Sequence, residues 1–115
     1  MSVERWTIWQ ANLDPVVGSE QGRVRPVLII SETTINDLLP VVNVLPITSR
    51  KVGRRIYPNE ALLLSGTAGL TADSLVLCHQ IRTLDKQRLA RMYGMLNDTA
   101  RRDEVLKALR YQLGT

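Results

Sequence analysis

One stretch of the chain collects more chemistry than a connection needs. Pro15 to Pro26 joins two apolar, strand-like runs and carries Ser19, Glu20, Gln21, Arg23 and Arg25. A turn between strands can be made with far fewer residues. This one holds a carboxylate, an amide and two guanidinium groups, and Gly18 and Gly22 let its backbone bend without a Cβ clash. Pro26 restricts Arg25 to an extended backbone, so that guanidinium is expected at a stiff junction between loop and strand. A second collection follows the third apolar run. Thr48-Ser49-Arg50-Lys51-Val52-Gly53-Arg54-Arg55 places four cations within six residues. Either stretch alone also reads as a solvated surface loop. Carried on strands of one small barrel, the two are expected to converge on a single groove.

The inventory narrows the chemistry. The sequence contains no glycine-rich phosphate loop and no paired histidines or cysteines at metal-ligand spacing. Its one histidine is His79 and its one cysteine is Cys78, which leaves no internal disulfide and no cysteine-rich zinc site. An active site built from this chain would therefore use Arg, Glu, Thr, Ser and His79, without a metal or other cofactor. Cleavage of RNA by its own 2′-hydroxyl fits that inventory. The substrate supplies the nucleophile, and the protein has to orient it, stabilise a phosphorane of added negative charge and manage two protons.

Composition agrees with an anionic partner. Of the 15 basic residues only Lys51, Lys86 and Lys107 are lysines, and the net charge is +4 with a pI near 9.7. Arginine presents a planar fork that grips phosphate at two points, where lysine is a point charge. The 44% hydrophobic and 23% charged residues over 115 positions are those of one ordinary globular domain with a single core. No apolar run reaches the length of a membrane span, and Met1-Ser2-Val3-Glu4-Arg5-Trp6 lacks the apolar core of a signal peptide. A cytoplasmic protein with no membrane partner is expected.

The elements that must position these residues follow from patterning. Trp6 to Leu13 reads as a first strand, ended by Asp14-Pro15. Val27 to Ser31 is a continuous apolar run, expected to be buried on both faces. Glu32 to Leu39 is a polar connection with room for a helical turn. Val41 to Ile47 is a third strand, expected to stop at a sheet edge or bulge at Pro46, which has no N–H to donate. Glu60 to Leu64 is a short strand before a turn at Ser65 to Gly69. Ser74 to Thr83 reads as one long strand with Leu75, Leu77, His79 and Ile81 on a common face. Asp85 caps a short turn, and Arg91 to Leu96 is a last strand. A helix capped by Asn97 or Asp98 ends at Gly114, with Arg102, Val105, Leu106, Leu109 and Leu113 toward the sheet. The sum is an α+β domain built on a small barrel with a C-terminal helix.

Four ordered motifs resemble the MazF/PemK toxins of type II toxin–antitoxin modules. They are Asn12-Leu13-Asp14-Pro15, Val17-Gly18-Ser19-Glu20-Gln21-Gly22 with Arg25-Pro26-Val27-Leu28, Pro46-Ile47-Thr48-Ser49, and Asp73-Ser74 with Gln80-Ile81-Arg82-Thr83-Leu84-Asp85-Lys86. The resemblance covers nearly the whole chain. It implies an SH3-like β-barrel with a C-terminal helix (the MazF/CcdB/Kid-like toxin fold) over residues 1–115 as a single toxin domain. It further implies a homodimer and a sequence-specific, metal-independent endoribonuclease that cleaves single-stranded mRNA and is neutralised by a cognate antitoxin. By this resemblance Arg25 and Thr48 are catalytic, and Glu20 lies in the functionally sensitive loop, either accepting the 2′-hydroxyl proton or orienting Arg25. Ser19, Gln21, Arg23, Ser49, Arg50, Lys51, Arg54, Arg55, His79 and Gln80 are the candidate RNA contacts.

Three positions depart from the family pattern. Trp6 stands where glycine usually follows the first arginine. His79 stands where an acidic residue, assigned to cleavage in some members, usually precedes the Gln-Ile-Arg-Thr motif. Ser19 stands where some members carry a catalytic histidine. Two rival functions remain at this stage: a non-catalytic SH3-like binding module, and a gyrase-poisoning toxin of the CcdB type.

Overall fold

The run Val27-Leu28-Ile29-Ile30 is apolar at every position because the strand that carries it is buried on both sides. The computed structural model describes residues 2–115. Its strands are β1 (Thr7–Asn12), β2 (Val24–Ile29), β3 (Val41–Ser49), β4 (Glu60–Leu63), β5 (Ser74–Leu77), β6 (Arg82–Asp85) and β7 (Leu89–Met95), with helices α1 (Thr33–Leu38) and α2 (Thr99–Leu113). They form a seven-stranded sheet in the order β4-β5-β3-β2-β1-β7, with β6 also on β3, and every pairing is antiparallel. Val27 and Ile29 join Trp9, Ala11, Val42, Val44, Leu84 and Leu89 in one cluster. Side chains from β1, β2, β3, β6 and β7 thus meet around one interior, and a 3-10 turn at Lys86–Arg88 carries β6 directly into β7. Leu28 and Ile30 point the other way, into a second cluster with Ile8, Leu45, Ile47, Val76 and the helical Val105 and Ala108. This is the small barrel with a C-terminal helix that the patterning predicts.

Two prolines mark the point where this sheet divides. The β2–β3 ladder runs Ile29↔Val44, Leu28↔Leu45, Val27↔Pro46 and stops there. Beyond it β3 continues to Ser49, paired with β5 along its other edge. The strand does not end at Pro46, as its missing donor suggests, because that position needs no donor. On its far side β3 pairs with β6 only as far as Val44 and with β5 only from Ile47, so Pro46 falls in the gap between two partners. The backbone of Asn43 faces β2, since Ile30 N–H donates to its carbonyl; strand alternation turns Pro46 the opposite way, into that gap. Pro26 likewise faces β3 just past the last pair, since the Leu13 N–H bond to the Arg23 carbonyl puts residues 23, 25 and 27 toward β1. Neither proline costs the sheet a ladder bond.

Other boundaries moved for comparable reasons. β2 begins at Val24, so Arg25 lies in the strand, opposite Ala11, and not at the end of a loop. Ser74 to Thr83 is two strands: Ser74–Leu77 pairs with β4 and the end of β3, Arg82–Asp85 with the start of β3. The chain crosses between these places through a 3-10 turn at Cys78–Gln80, which leaves Cys78 buried and His79 exposed. Asp98 caps α2 by accepting from the N–H groups of Ala100 and Arg101, and Gly114 ends it in a left-handed conformation. Val105 and Ala108 are the buried residues of that helix, while Leu113 in its last turn is exposed.

Trp6 stands at a backbone position that suits glycine better than a bulky residue. Its φ is +72°, a conformation in which a bulky side chain is strained. Packing holds it there: the ring is buried, with the guanidinium of Arg5 at 4.9 Å and that of Arg102 at 5.3 Å from its centre.

The turn between β4 and β5 closes onto β7 without hydrogen-bond pairing. A Cβ on Gly69 would collide with the Tyr93 carbonyl oxygen, and one on Gly94 would come within 2.8 Å of the Ala68 carbonyl. Gly69 also has a φ of +82°. Gly69→Ala is therefore expected to lower stability by about 1–3 kcal/mol. Gly18→Ala, at a φ of +57° but with open space around it, is expected to cost about 1 kcal/mol. Denaturant unfolding of both variants checks this, and equal losses would contradict it.

Candidate active site

Continuing the β2–β3 register past its last pair sets Arg25 directly opposite Thr48. The strands have parted there, and the two side chains meet across the opening. Arg25 Nε–H donates to the Gly22 carbonyl at 3.0 Å, and Nη1 lies a long 3.4 Å from Thr48 Oγ1. Both residues are half-buried. They line an open cleft of about 690 Å³ whose near wall is Arg23 to Pro26 and Ile47 to Ser49, and whose far wall is Gly69 to Ala72 with Arg91, Met92 and Tyr93. The remaining Arg25 donors and the Thr48 hydroxyl suit an anionic oxygen placed between them.

The loop that delivers Arg25 is pinned by polar contacts. Asp14 accepts the Arg23 N–H at 2.8 Å, and a Cβ on Gly22 would lie 2.6 Å from the same carboxylate oxygen. Gln80 accepts from the Gln21 N–H at 3.0 Å and donates to the Ser19 carbonyl at 3.2 Å. Arg82 holds the Leu13 carbonyl, and Arg88 holds those of Asn12 and Asp14.

Glu20 is exposed and turned into its own loop, its carboxylate accepting the Val17 N–H. With Ser19, His79, Gln80 and Arg82 it lines a separate cleft of about 420 Å³. Within this chain Glu20 makes no hydrogen bond to Arg25, whose orientation comes from Gly22 and Thr48.

The second basic stretch contains two kinds of cation. Arg54 makes a two-point ion pair with Glu60 at 2.9 and 2.7 Å, and Glu60, at 2% side-chain exposure, also accepts the Tyr57 N–H. Arg50 donates twice to the Arg54 carbonyl. The guanidinium groups of Arg50 and Arg54, expected as RNA contacts, are thus engaged in closing the loop on itself. Lys51 and Arg55 are exposed and in no ion pair among the described residues. Glu60 was not legible as a partner, because in sequence it only opens an apolar strand. Arg91 and Tyr93 were missed because the far wall belongs to no motif. Cys78 is no nucleophile: burial, and then the nearby Glu60 charge, push its thiol up to about 12.

A small antiparallel barrel with a C-terminal helix, and an arginine and a threonine meeting at a strand fork beside an open cleft, defines the class of fold. Comparison with known proteins fixes its family. The model of the PemK-like, MazF-like toxins of type II toxin–antitoxin systems matches residues 4–113. The endoribonuclease EndoA of Bacillus subtilis is 40% identical over 113 residues, covering 98% of this chain and 96% of that protein. MazF from Deinococcus radiodurans superposes with a TM-score of 0.82 at 28% identity over 100% of this chain and 99% of its own. A MazE–MazF structure from the same organism gives 0.73 at 27%, over 100% and 98%. The chain belongs to the PemK-like, MazF-like toxin family.

The Glu60 buckle gives a pH prediction. Burial raises the Glu60 carboxyl, but the hydrogen bonds from Arg54 and Tyr57, with the charges of Arg54 and His79, bring it net below its ordinary value of 4.5. A depressed carboxyl stabilises the fold above its ordinary value, and that contribution is lost as pH falls from there through the folded-state value. Glu60→Gln should lower stability at neutral pH and lose less on acidification than the unaltered protein. Unfolding midpoints measured between about pH 7 and pH 3 test this; parallel curves for the two proteins would contradict it.

Proposed function

We propose that this chain is the toxin of a type II toxin–antitoxin pair and that it cleaves single-stranded RNA at the Arg25–Thr48 cleft through attack of the substrate's own 2′-hydroxyl. The observation that carries the site assignment is the meeting of Arg25 and Thr48 across the opened strand pair. An attacking 2′-oxygen adds negative charge to the phosphorus centre, and a guanidinium already aimed at that point stabilises the charge without reorganising. Thr48 donates to a second phosphate oxygen. A guanidinium is a poor proton acceptor, so the 2′-hydroxyl proton goes to Glu20 once its carboxylate leaves the Val17 N–H and swings from the neighbouring cleft toward Arg25. As the bond from phosphorus to the 5′-oxygen breaks, that oxygen takes a proton from water. The other candidate role of Glu20, orienting Arg25, is already filled by Gly22 and Thr48.

Substrate is held by exposed residues around the cleft. Arg23, Ser49, Lys51 and Arg55 follow the RNA backbone without reading bases. Ser19 and His79 contact it along the neighbouring cleft, the half-buried Gln21 contacts it from the same loop as Ser19, and Gln80, Arg50 and Arg54 act by fixing the loops. Residues 1–115 act as one toxin domain in the cytoplasm, as a homodimer in which two basic surfaces form a continuous groove. The cognate antitoxin covers it with an acidic, flexible segment, which suits the net charge of +4. No observation here favours the gyrase-poisoning reading or the non-catalytic module.

Incubation with a long single-stranded RNA tests the proposal. Cleavage should persist in a chelator, leave a 2′,3′-cyclic phosphate or 3′-phosphate and a 5′-hydroxyl, and stop when the nucleotide at the cut site is 2′-deoxy. Arg25→Ala should lower the single-turnover rate by about 10²–10³ while the protein stays folded and still binds RNA. Loss of activity in chelator, cleavage of DNA, or a fully active Arg25→Ala would each overturn the mechanism.

A further inference from the structure

The far wall of the cleft is assembled with more care than a barrel edge requires. Against β1 the register of β7 slips twice, leaving Tyr93 unpaired between Met92 and Gly94, and Ala90 unpaired between Leu89 and Arg91. Such bulges bend a strand and re-aim a side chain. The one at Tyr93 is clamped by the close approach of Gly69 and Gly94 described above. Its product is an arginine resting on an aromatic ring: the Arg91 guanidinium lies 5.0 Å from the centre of Tyr93, and both residues line the cleft.

Arg91, like Arg23, Arg55 and Arg110, has no side-chain hydrogen bond or ion pair among the described residues, and of these four it alone both lines the cleft and rests on an aromatic ring. Arg5, Arg54 and Arg101 are in ion pairs, and Arg25, Arg50, Arg82, Arg88 and Arg102 donate to backbone carbonyls. Arg91 is exposed, held by a cation–π contact alone, and in no ion pair among the described residues. Its register partner is Gln10, whose own partner on β2 is Pro26, the neighbour of Arg25. Two strand spacings, about 10 Å, therefore separate the Arg91 backbone from that of Pro26 along the cleft. A preorganised guanidinium with its donors free, facing an anion-gripping pair across a cleft, lacks only an anion.

We propose that Arg91, stacked on Tyr93, binds a backbone phosphate of the RNA next to the one held by Arg25 and Thr48, and so positions the strand for cleavage. The inference rests on the RNA-cleaving reading above. Arg91 is a positioning residue here, and Tyr93 is its platform.

The test uses binding and turnover together. In an inactive Arg25→Ala background, adding Arg91→Ala should raise Kd for single-stranded RNA about tenfold. It should also flatten the plot of log affinity against log salt by about 0.7, the signature of one lost phosphate contact on a single strand. Arg91→Lys should restore the salt slope, because an ammonium still neutralises phosphate. In the active protein Arg91→Ala should raise KM about tenfold and leave kcat within about twofold. An unchanged slope in Arg91→Ala, or a fall in kcat and melting temperature together with an unchanged slope, would overturn the proposal by making Arg91 a prop for the bulge. If the unaltered protein cuts no RNA, the functional reading fails by itself, and the salt slope still decides the phosphate contact. RNA affinity independent of salt in the Arg25→Ala protein would sink both.

Discussion

The site depends on a break in backbone pairing. β2 and β3 form an ordinary antiparallel ladder up to Val27 and Pro46 and then separate: Pro26, the first residue past the last pair, offers β3 no donor, while β3 runs on paired with β5 along its other edge. Had the ladder continued, Arg25 and Thr48 would be a close, non-hydrogen-bonded cross-strand pair with their side chains packed against each other. The separation leaves the same two residues, still opposite by register, with side chains that meet at the edge of an open cleft. The prolines make this division stable at little cost, since each sits where the sheet has no hydrogen bond to lose. The apolar alternation on either side keeps β2 and β3 locked up to the fork, so the opening has fixed edges.

Around that fork the polar side chains hold loops more than they face solvent. Asp14, Gln80, Arg82 and Arg88 tie down the chain between β1 and β2 through backbone groups, each bond satisfying a donor or acceptor that a loop would otherwise leave to water. Arg50, Arg54 and Glu60 close the next loop on itself, leaving Lys51 and Arg55 outward. A basic surface of this kind is part scaffold, and the number of cations in a loop overstates the number available to a ligand. Arg25 takes its orientation from a carbonyl and a hydroxyl, so its donors toward the cleft stay free.

The sequence made the elements legible wherever side-chain pattern alone decides them. The doubly buried Val27 to Ile30 run, the Asp98 cap, the Gly114 stop and the basic loop all stand where patterning puts them. It misled where pairing decides. Pro46 marks a strand's end by propensity, yet β3 passes through it because two successive partners leave a gap there. Ser74 to Thr83 alternates like one strand, yet its halves serve different parts of β3, and the turn between them puts His79 outside the sheet. In the site, the near wall was readable because its residues lie in recurring motifs. The far wall was not, because Arg91 and Tyr93 reach the cleft through bulges and glycine contacts made by residues distant in sequence. Glu60 was hidden for a similar reason, since a carboxylate among aliphatic residues reveals a partner only when the loop folds back.

The central claim is that Arg25 and Thr48 act as one unit across the fork. A double-mutant cycle on the single-turnover rate of RNA cleavage, with Arg25→Ala, Thr48→Ala and the pair, tests it most directly. If both grip the same phosphate, the second substitution should add little to the first, so the pair loses about as much as Arg25→Ala alone and far less than the product of the single losses. Losses that multiply would mean two independent contributions, and the account of the fork as the place where they combine would be wrong.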